Sequence, residues 1–226
     1  MNTKTEPLST PGGWKAYRLS GTVGELHALS PDPGANREVW LMSPLDTALV
    51  LGSAQPEEAA SSPITDSPAV VRRLSGGGAV LVAPDHSVWI DVVIGRSDPL
   101  WDDDVNRAPL WLGEAWVAAL ALLGIKHGEV FNRYEPGLWG RLACFASRGP
   151  GEVMVDGAKA VGITQRRTRT TARFQTLLYR HWSPEELFAR LAESSEELRI
   201  ALSSAAWPVD AQPDDIHTAL LASLPR

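Results

Sequence analysis

Residues 72–83 read RRLSGGGAVLVA, and residues 156–167 read DGAKAVGITQRR. In the first stretch a strand end carrying two arginines runs into three glycines before an apolar strand resumes. Glycine weakens a strand, both in entropy and in lost side-chain packing. The interruption therefore implies that something must approach the bare backbone. Gly76, Gly77 and Gly78 free the chain for positive φ, and successive N–H groups in such a turn form a nest for phosphate or carboxylate. Arg72 and Arg73 would supply matching charge. A glycine-rich hairpin or bulge without a ligand is the other reading of this stretch alone. It is not a Walker loop, because no GK[ST] follows, nor a dinucleotide fingerprint, because a strand rather than a helix comes next.

In the second stretch Asp156-Gly157 is a type I′ hairpin signal. Lys159 lies two residues past it among small neighbours, Gly157, Ala158, Ala160 and Gly162. That setting leaves room for a substrate, so the lysine is expected to face a site and its truncation to spare the fold. Residues 157–182 hold Lys159, Arg166, Arg167, Arg169, Arg173 and Arg180 and no acidic residue. Such a run is either a solvated basic face or a docking face for phosphate or an acidic protein.

Further out, β-like runs occur at 38–42, 47–53, 69–74, 79–83 and 88–95, with a Pro/Ser/Glu-rich loop over 54–68. Residues 102–124 change to a helical period. Asp102, Asp103 and Asp104 at its start read as capping carboxylates more readily than as metal ligands. Phe174–Tyr179 gives another strand. Ser183-Pro184 opens a helix, with Pro184 at its first position, and a second short helix falls at 214–224. The order of strands, helix, hairpin and helices is α+β.

The chain has 226 residues, 44% of them hydrophobic, enough for one sizeable core over 14–226 behind a loose lead-in at 1–13. Its net charge of −6 argues against a general nucleic-acid binder. The longest apolar run, 116–125, is too short to span a bilayer, and no signal-peptide pattern opens the chain. A lone cysteine, Cys144, excludes an internal disulfide framework and fits a reducing, cytoplasmic setting. Most lone cysteines are inert, and this one becomes reactive if a cation such as Lys159 lowers its pKa.

Taken together, RRLSGGGAV at 72–80, DGAKAVGITQRR at 156–167 and the upstream TALVLGSAQ resemble the lipoate–protein ligase and octanoyltransferase family over residues 37–181. The resemblance implies one domain of the biotin–lipoate synthetase type, with a mixed, mostly antiparallel sheet flanked by helices. It implies an enzyme that joins a lipoyl or octanoyl group to one lysine of a carrier-protein domain. Arg72, Arg73, Ser75, Gly76, Gly77, Gly78, Ala79, Val80 and Gly162 then fall at the acyl and nucleotide site. Lys159 falls where the family's lysine meets the acyl carbonyl and, in ligases, the α-phosphate.

Two departures matter. The Arg-Asn-Asp stretch common in the ligases is missing, and Asp85-His86 is displaced from the family's His-Asp position. Instead Cys144-Phe145 precedes Lys159, which resembles the branch that passes octanoyl through a cysteine thioester. The main reading is a ligase using ATP, with Mg²⁺, through an acyl-adenylate. Its alternative is an ATP-independent octanoyltransferase with Cys144 as nucleophile, and the third is a non-catalytic carrier-binding relic. Residues 183–226 allow one or two helices but not the accessory domain of some ligases; if adenylation needs that unit, a second polypeptide would have to supply it. A biotin ligase does not fit, because the GRGRxGR-type loop is missing.

Overall fold

The computed structural model describes residues 3–4, 8–10, 12–61 and 69–226. In chain order it has β1 (Thr3–Lys4), β2 (Leu8–Ser9), β3 (Lys15–Gly21), α1 (Val23–Ala28), β4 (Glu38–Pro44), β5 (Ala48–Leu51) and β6 (Ala69–Arg72). Next come β7 (Val80–Val82), β8 (Ser87–Gly95), α2 (Leu110–Leu122), β9 (Glu129–Val130), β10 (Val153–Val155), β11 (Ala158–Arg167) and β12 (Thr171–Tyr179). Three helices close the chain, α3 (Pro184–Phe188), α4 (Glu196–Ser203) and α5 (Pro213–Ser223).

The strand β8, SVWIDVVIG, shows why the layers form. All nine residues are buried, and successive side chains point to opposite faces. Val88, Ile90, Val92 and Ile94 pack with Leu112, Trp116 and Leu120 of α2 and with Ile216 and Leu220 of α5. Trp89 and Val93 enter a second cluster with Val50, Val80 and Val82. A strand apolar on both faces must be covered on both. Helices α2 and α5 cover one face, and a small second sheet covers the other.

The large sheet has the order β1-β3-β4-β8-β12-β11-β10-β9, with β2 also on β3, and the small one the order β6-β5-β7. Among the described strands only β3–β4 and β5–β6 pair in parallel, so the sheets are mixed and mostly antiparallel, as the family resemblance implied. The small sheet repeats the same logic. Val50 faces the large sheet, while Leu49 and Leu51 pack with Leu187, Leu198 and Leu202 of the helices behind. The two sheets thus sandwich a thin apolar layer, and the loop of three glycines leads into β7 at its edge.

The hairpin is as expected, with Asp156 at φ 50° and Gly157 at φ 81° between β10 and β11. The boundary of α2 is not. The helix starts at Leu110 behind Pro109. The three aspartates instead close turns upstream of it: Asp102 accepts from the Asp104 amide (2.8 Å) and Asp104 from the Asn106 amide (2.9 Å). They cap no helix, and no group of three His, Cys, Asp or Glu placed to hold a metal occurs among the described residues. Residues 62–68 of the expected long loop, and 1–2, 5–7 and 11 of the lead-in, lie outside the described residues. Thr3–Lys4 and Leu8–Ser9 pair with β3. No described helix is long and apolar enough to cross a membrane.

Burial also sets an acid limit on stability. Burial and the Arg18 charge lower the pKa of His217 on α5 to about 4, against a partial offset from Asp214. The unfolded chain takes up that proton below about pH 6.5 while the native state does not, so stability falls as the pH drops from 6.5 towards 4. His217→Leu should remove about 2 kcal/mol of the stability lost between pH 7 and pH 5. Urea unfolding at the two pH values measures it, and an unchanged difference between them would count against this assignment.

Candidate active site

What comes close to the glycines is the cysteine segment itself. Ala79 N donates to Leu142 O (2.8 Å) and Cys144 N donates to Ala79 O (2.9 Å). A Cβ on Gly78 would stand 2.6 Å from Gly140 O and 2.8 Å from Cys144 N, closer than real side chains allow. Glycine at 78 is therefore the condition for Cys144, in the short 3₁₀ turn Cys144–Ala146, to sit against β7.

Arg73 finishes the loop from inside. It is buried, and its guanidinium donates to Gly76 O (2.7 Å), Gly78 O (2.8 Å) and Val50 O (3.2 Å). Arg72 donates to the carbonyls of Gly52 and Gln55. Ser75 Oγ donates to Gln175 Oε1 (2.7 Å), stitching the loop to β12. These arginines, expected beside a phosphate, hold main-chain carbonyls instead.

Between the sheets lies a narrow cleft of about 40 Å³. Val80 and Val82 line one side; Trp89, Gly162, Ile163 and Leu177 line the other, with Phe145, Cys144, Arg73, His27 and Gln175 around them. Gly162 matters for what it lacks, since the Phe145 ring lies 3.3 Å from where its Cβ would be. Cys144 is partly exposed, and its Sγ and the Arg73 Nη2 both border the open face of Gly77. Tyr179, buried behind them, donates to Leu81 O (2.9 Å), and burial raises its pKa, keeping it a neutral phenol.

Lys159 is elsewhere than expected. It is fully buried, and its Nζ donates to Glu152 Oε1 (2.8 Å) and to the Cys144 carbonyl (2.8 Å), 5.2 Å from the Phe145 ring centre. Burial pushes the Glu152 carboxyl up, and Lys159 draws it back. The lysine braces the cysteine turn through its backbone and does not line the cleft. The cation that shares the face of Gly77 with the sulfur is Arg73.

The basic run of 157–182 dissolves in the same way. Lys159 pairs with Glu152, Arg173 pairs with Asp91 (2.5 Å), and Arg180 donates to Ala211 O (2.8 Å). Arg166 and Arg169 are exposed, and Arg167 stacks 4.1 Å over Trp101. A linear charge pattern on strands splits between two faces, so it forms no continuous stripe.

Sequence reasoning missed His27, Glu152, Asp91 and Gln175. A signal for the first existed: Thr22 and Glu25 form a capping box, and that box opens the helix that carries His27.

Gly77 has φ +97°, and a Cβ there would stand 2.9 Å from Arg73 Nη2. Gly77→Val should cost about 2–3 kcal/mol through backbone strain and displaced Arg73. Gly76, with open space around it, should accept alanine at little cost. Equal urea midpoints for the two variants would contradict this.

No family model matches the chain. Over 133 residues it is 28% identical to octanoyltransferase LipM of Clostridioides difficile strain 630, covering 57% of this chain and 47% of the relative. It is 32% identical over 133 residues to octanoyltransferase LipM of Kyrpidia tusciae, covering 57% and 48%. Lipoate–protein ligase A bound with ATP superposes at a TM-score of 0.69 and 18% identity, over 91% of this chain and 81% of that one. The chain is therefore similar in sequence to octanoyltransferases over part of its length, and in fold to lipoate–protein ligase A. At that identity the ligase likeness speaks for the fold alone. The chain spans about half the length of the curated octanoyltransferases it matches.

Proposed function

We propose that the chain transfers an octanoyl group to a lysine of a small carrier domain by way of a thioester on Cys144. The observation that carries this reading is Cys144 itself, set in the wall of an apolar cleft by the triple-glycine loop, with Arg73 beside it. In the first half, Cys144 Sγ adds to the thioester carbonyl of an octanoyl-carrying donor. The donor C–S bond breaks, and the donor sulfur leaves with the proton that Cys144 gives up. In the second half, the amine of the carrier lysine attacks the Cys144 thioester. An amide forms, the Cys144 C–S bond breaks, and the sulfur regains a proton.

The alkyl chain is held by Val80, Val82, Phe145, Ile163 and Leu177. The cleft has room for about three waters, so an octanoyl chain enters by spreading these facing side chains. A lipoyl chain would use the same walls. The adenylate route is less well served: the basic groups expected at a nucleotide are engaged with protein, Lys159 with Glu152 and Arg73 with loop carbonyls. The names of the curated relatives, octanoyltransferases, also favour the thioester route.

The deciding experiment offers an apo lipoyl carrier domain and the protein either an octanoyl thioester donor, or lipoate with ATP and Mg²⁺. The mass of the carrier reports the outcome. Octanoylation without ATP is expected; modification only with lipoate and ATP would replace this reading with the ligase.

A further inference from the structure

Of the residues that line the cleft, only His27 has a buried polar side-chain atom without a hydrogen-bond partner among the described residues. It is 7% exposed, on the last turn of α1, with its ring stacked on Trp89 at 4.1 Å between centroids. Its placement is over-determined. The capping box fixes the start of α1, and Arg173 donates to the carbonyls of Leu26 and Leu29 at its end. Arg173 is itself locked to Asp91.

The surroundings also bear on which ring nitrogen carries hydrogen. Ser75 Oγ donates to Gln175 Oε1, so the Gln175 amide turns its NH₂ group away from the loop. That NH₂ group lies 3.3 Å from His27 Nδ1. Nδ1 therefore accepts, and the proton sits on Nε2. Burial first, then the Arg173 and Arg73 charges, lower the His27 pKa to about 3, so the ring is neutral. The cleft holds a neutral imidazole whose free N–H is shielded from water. An unpaired buried donor is costly, about 1–3 kcal/mol, and an occupant that brings an acceptor recovers that cost. An acyl group carries one acceptor, its carbonyl oxygen. An acyl group on Cys144 would carry that oxygen into the cleft that His27 also lines.

We infer that the His27 Nε2–H binds the acyl carbonyl oxygen in the cleft and meets the negative charge that gathers on it as Cys144 Sγ adds. This rests on the acyl-transfer reading above. It assigns an oxyanion donor to α1.

The test uses p-nitrophenyl octanoate as the acyl probe, following nitrophenolate release in the first turnover and the mass of the protein. His27→Phe keeps the stacked ring and removes the donor. It should acylate ~100- to 1,000-fold more slowly at saturating ester, with a much smaller change in the half-saturating concentration. His27→Gln, which retains an N–H, should recover to within about tenfold of wild type. Wild-type acylation by His27→Phe, or a loss confined to half-saturation, would overturn the inference. If His27→Phe does not fold, wild-type protein labelled with ¹⁵N-histidine answers instead. The His27 Nε2–H resonance should move downfield on octanoylation, and an unmoved resonance overturns the inference. If wild-type Cys144 takes up no octanoyl at all, the thioester reading itself fails and the inference falls with it. If Cys144 acylates but His27 proves indifferent, the inference alone fails.

Discussion

Replacing Lys159 with methionine should lower stability by about 3–5 kcal/mol. The pair it breaks has side-chain exposures of 0% for Lys159 and 5% for Glu152, so water cannot take over the lysine's role. Glu152 would keep its bond from the Gly149 amide (2.7 Å) but lose its countercharge, and the Cys144 carbonyl would lose a donor. The loss should depend on pH. Burial already raises the Glu152 pKa, and only with Lys159 present is much of that rise offset. In the variant the native state binds that proton more tightly than the unfolded chain. The deficit is therefore small below about pH 4.5 and grows as the pH rises through the unfolded value towards the folded one. Lys159→Met combined with Glu152→Leu should recover most of the loss, because an apolar pair of similar volume substitutes well for a buried ion pair. Urea unfolding of the two single variants and the double variant is the measurement. A loss below about 1 kcal/mol for Lys159→Met would show the pair to be no brace.

Cys144→Ser should reduce octanoyl transfer by ~1,000-fold or more while changing stability by about 1 kcal/mol or less. The reason is chemical. At neutral pH a thiol ionises to a few per cent and is a strong nucleophile, whereas a serine hydroxyl needs a base beside it. No group in the cleft supplies that base: the imidazole of His27 presents its N–H, and its Nδ1 is taken by Gln175. Steady-state transfer to an apo carrier, with thermal unfolding as control, gives both numbers. A Cys144→Ser protein that keeps more than a tenth of wild-type transfer would place the chemistry elsewhere.

The parts of the molecule legible in the sequence are those set by local rules. Asp156-Gly157 could form little but a tight hairpin, and the apolar runs of β4, β5, β7 and β8 were visible because they are buried on both faces. The triple glycine correctly announced a close approach. It did not say what approaches, because the Ala143–Cys144 backbone that packs on Gly78 lies some 65 residues away in sequence. Lys159 looked like a substrate-facing cation because its neighbours are small. The partner that buries it, Glu152, sits across the hairpin, where linear charge patterns do not show it. Arg173 and Asp91 are likewise brought together only by the register of β12 on β8. His27 was hidden for a different reason: its helix has six residues, too few for a period, although the Thr22–Glu25 capping box was there to be read.

Thioester formation on Cys144 is read from the intact mass of the wild-type protein after incubation with an octanoyl thioester donor in the absence of carrier domain and ATP. A single octanoyl adduct is expected that maps to the peptide containing Cys144, is lost on hydroxylamine treatment, and passes to the carrier lysine when apo carrier is added. A protein that stays unmodified under these conditions, or an adduct that resists hydroxylamine and maps to Lys159, would contradict it.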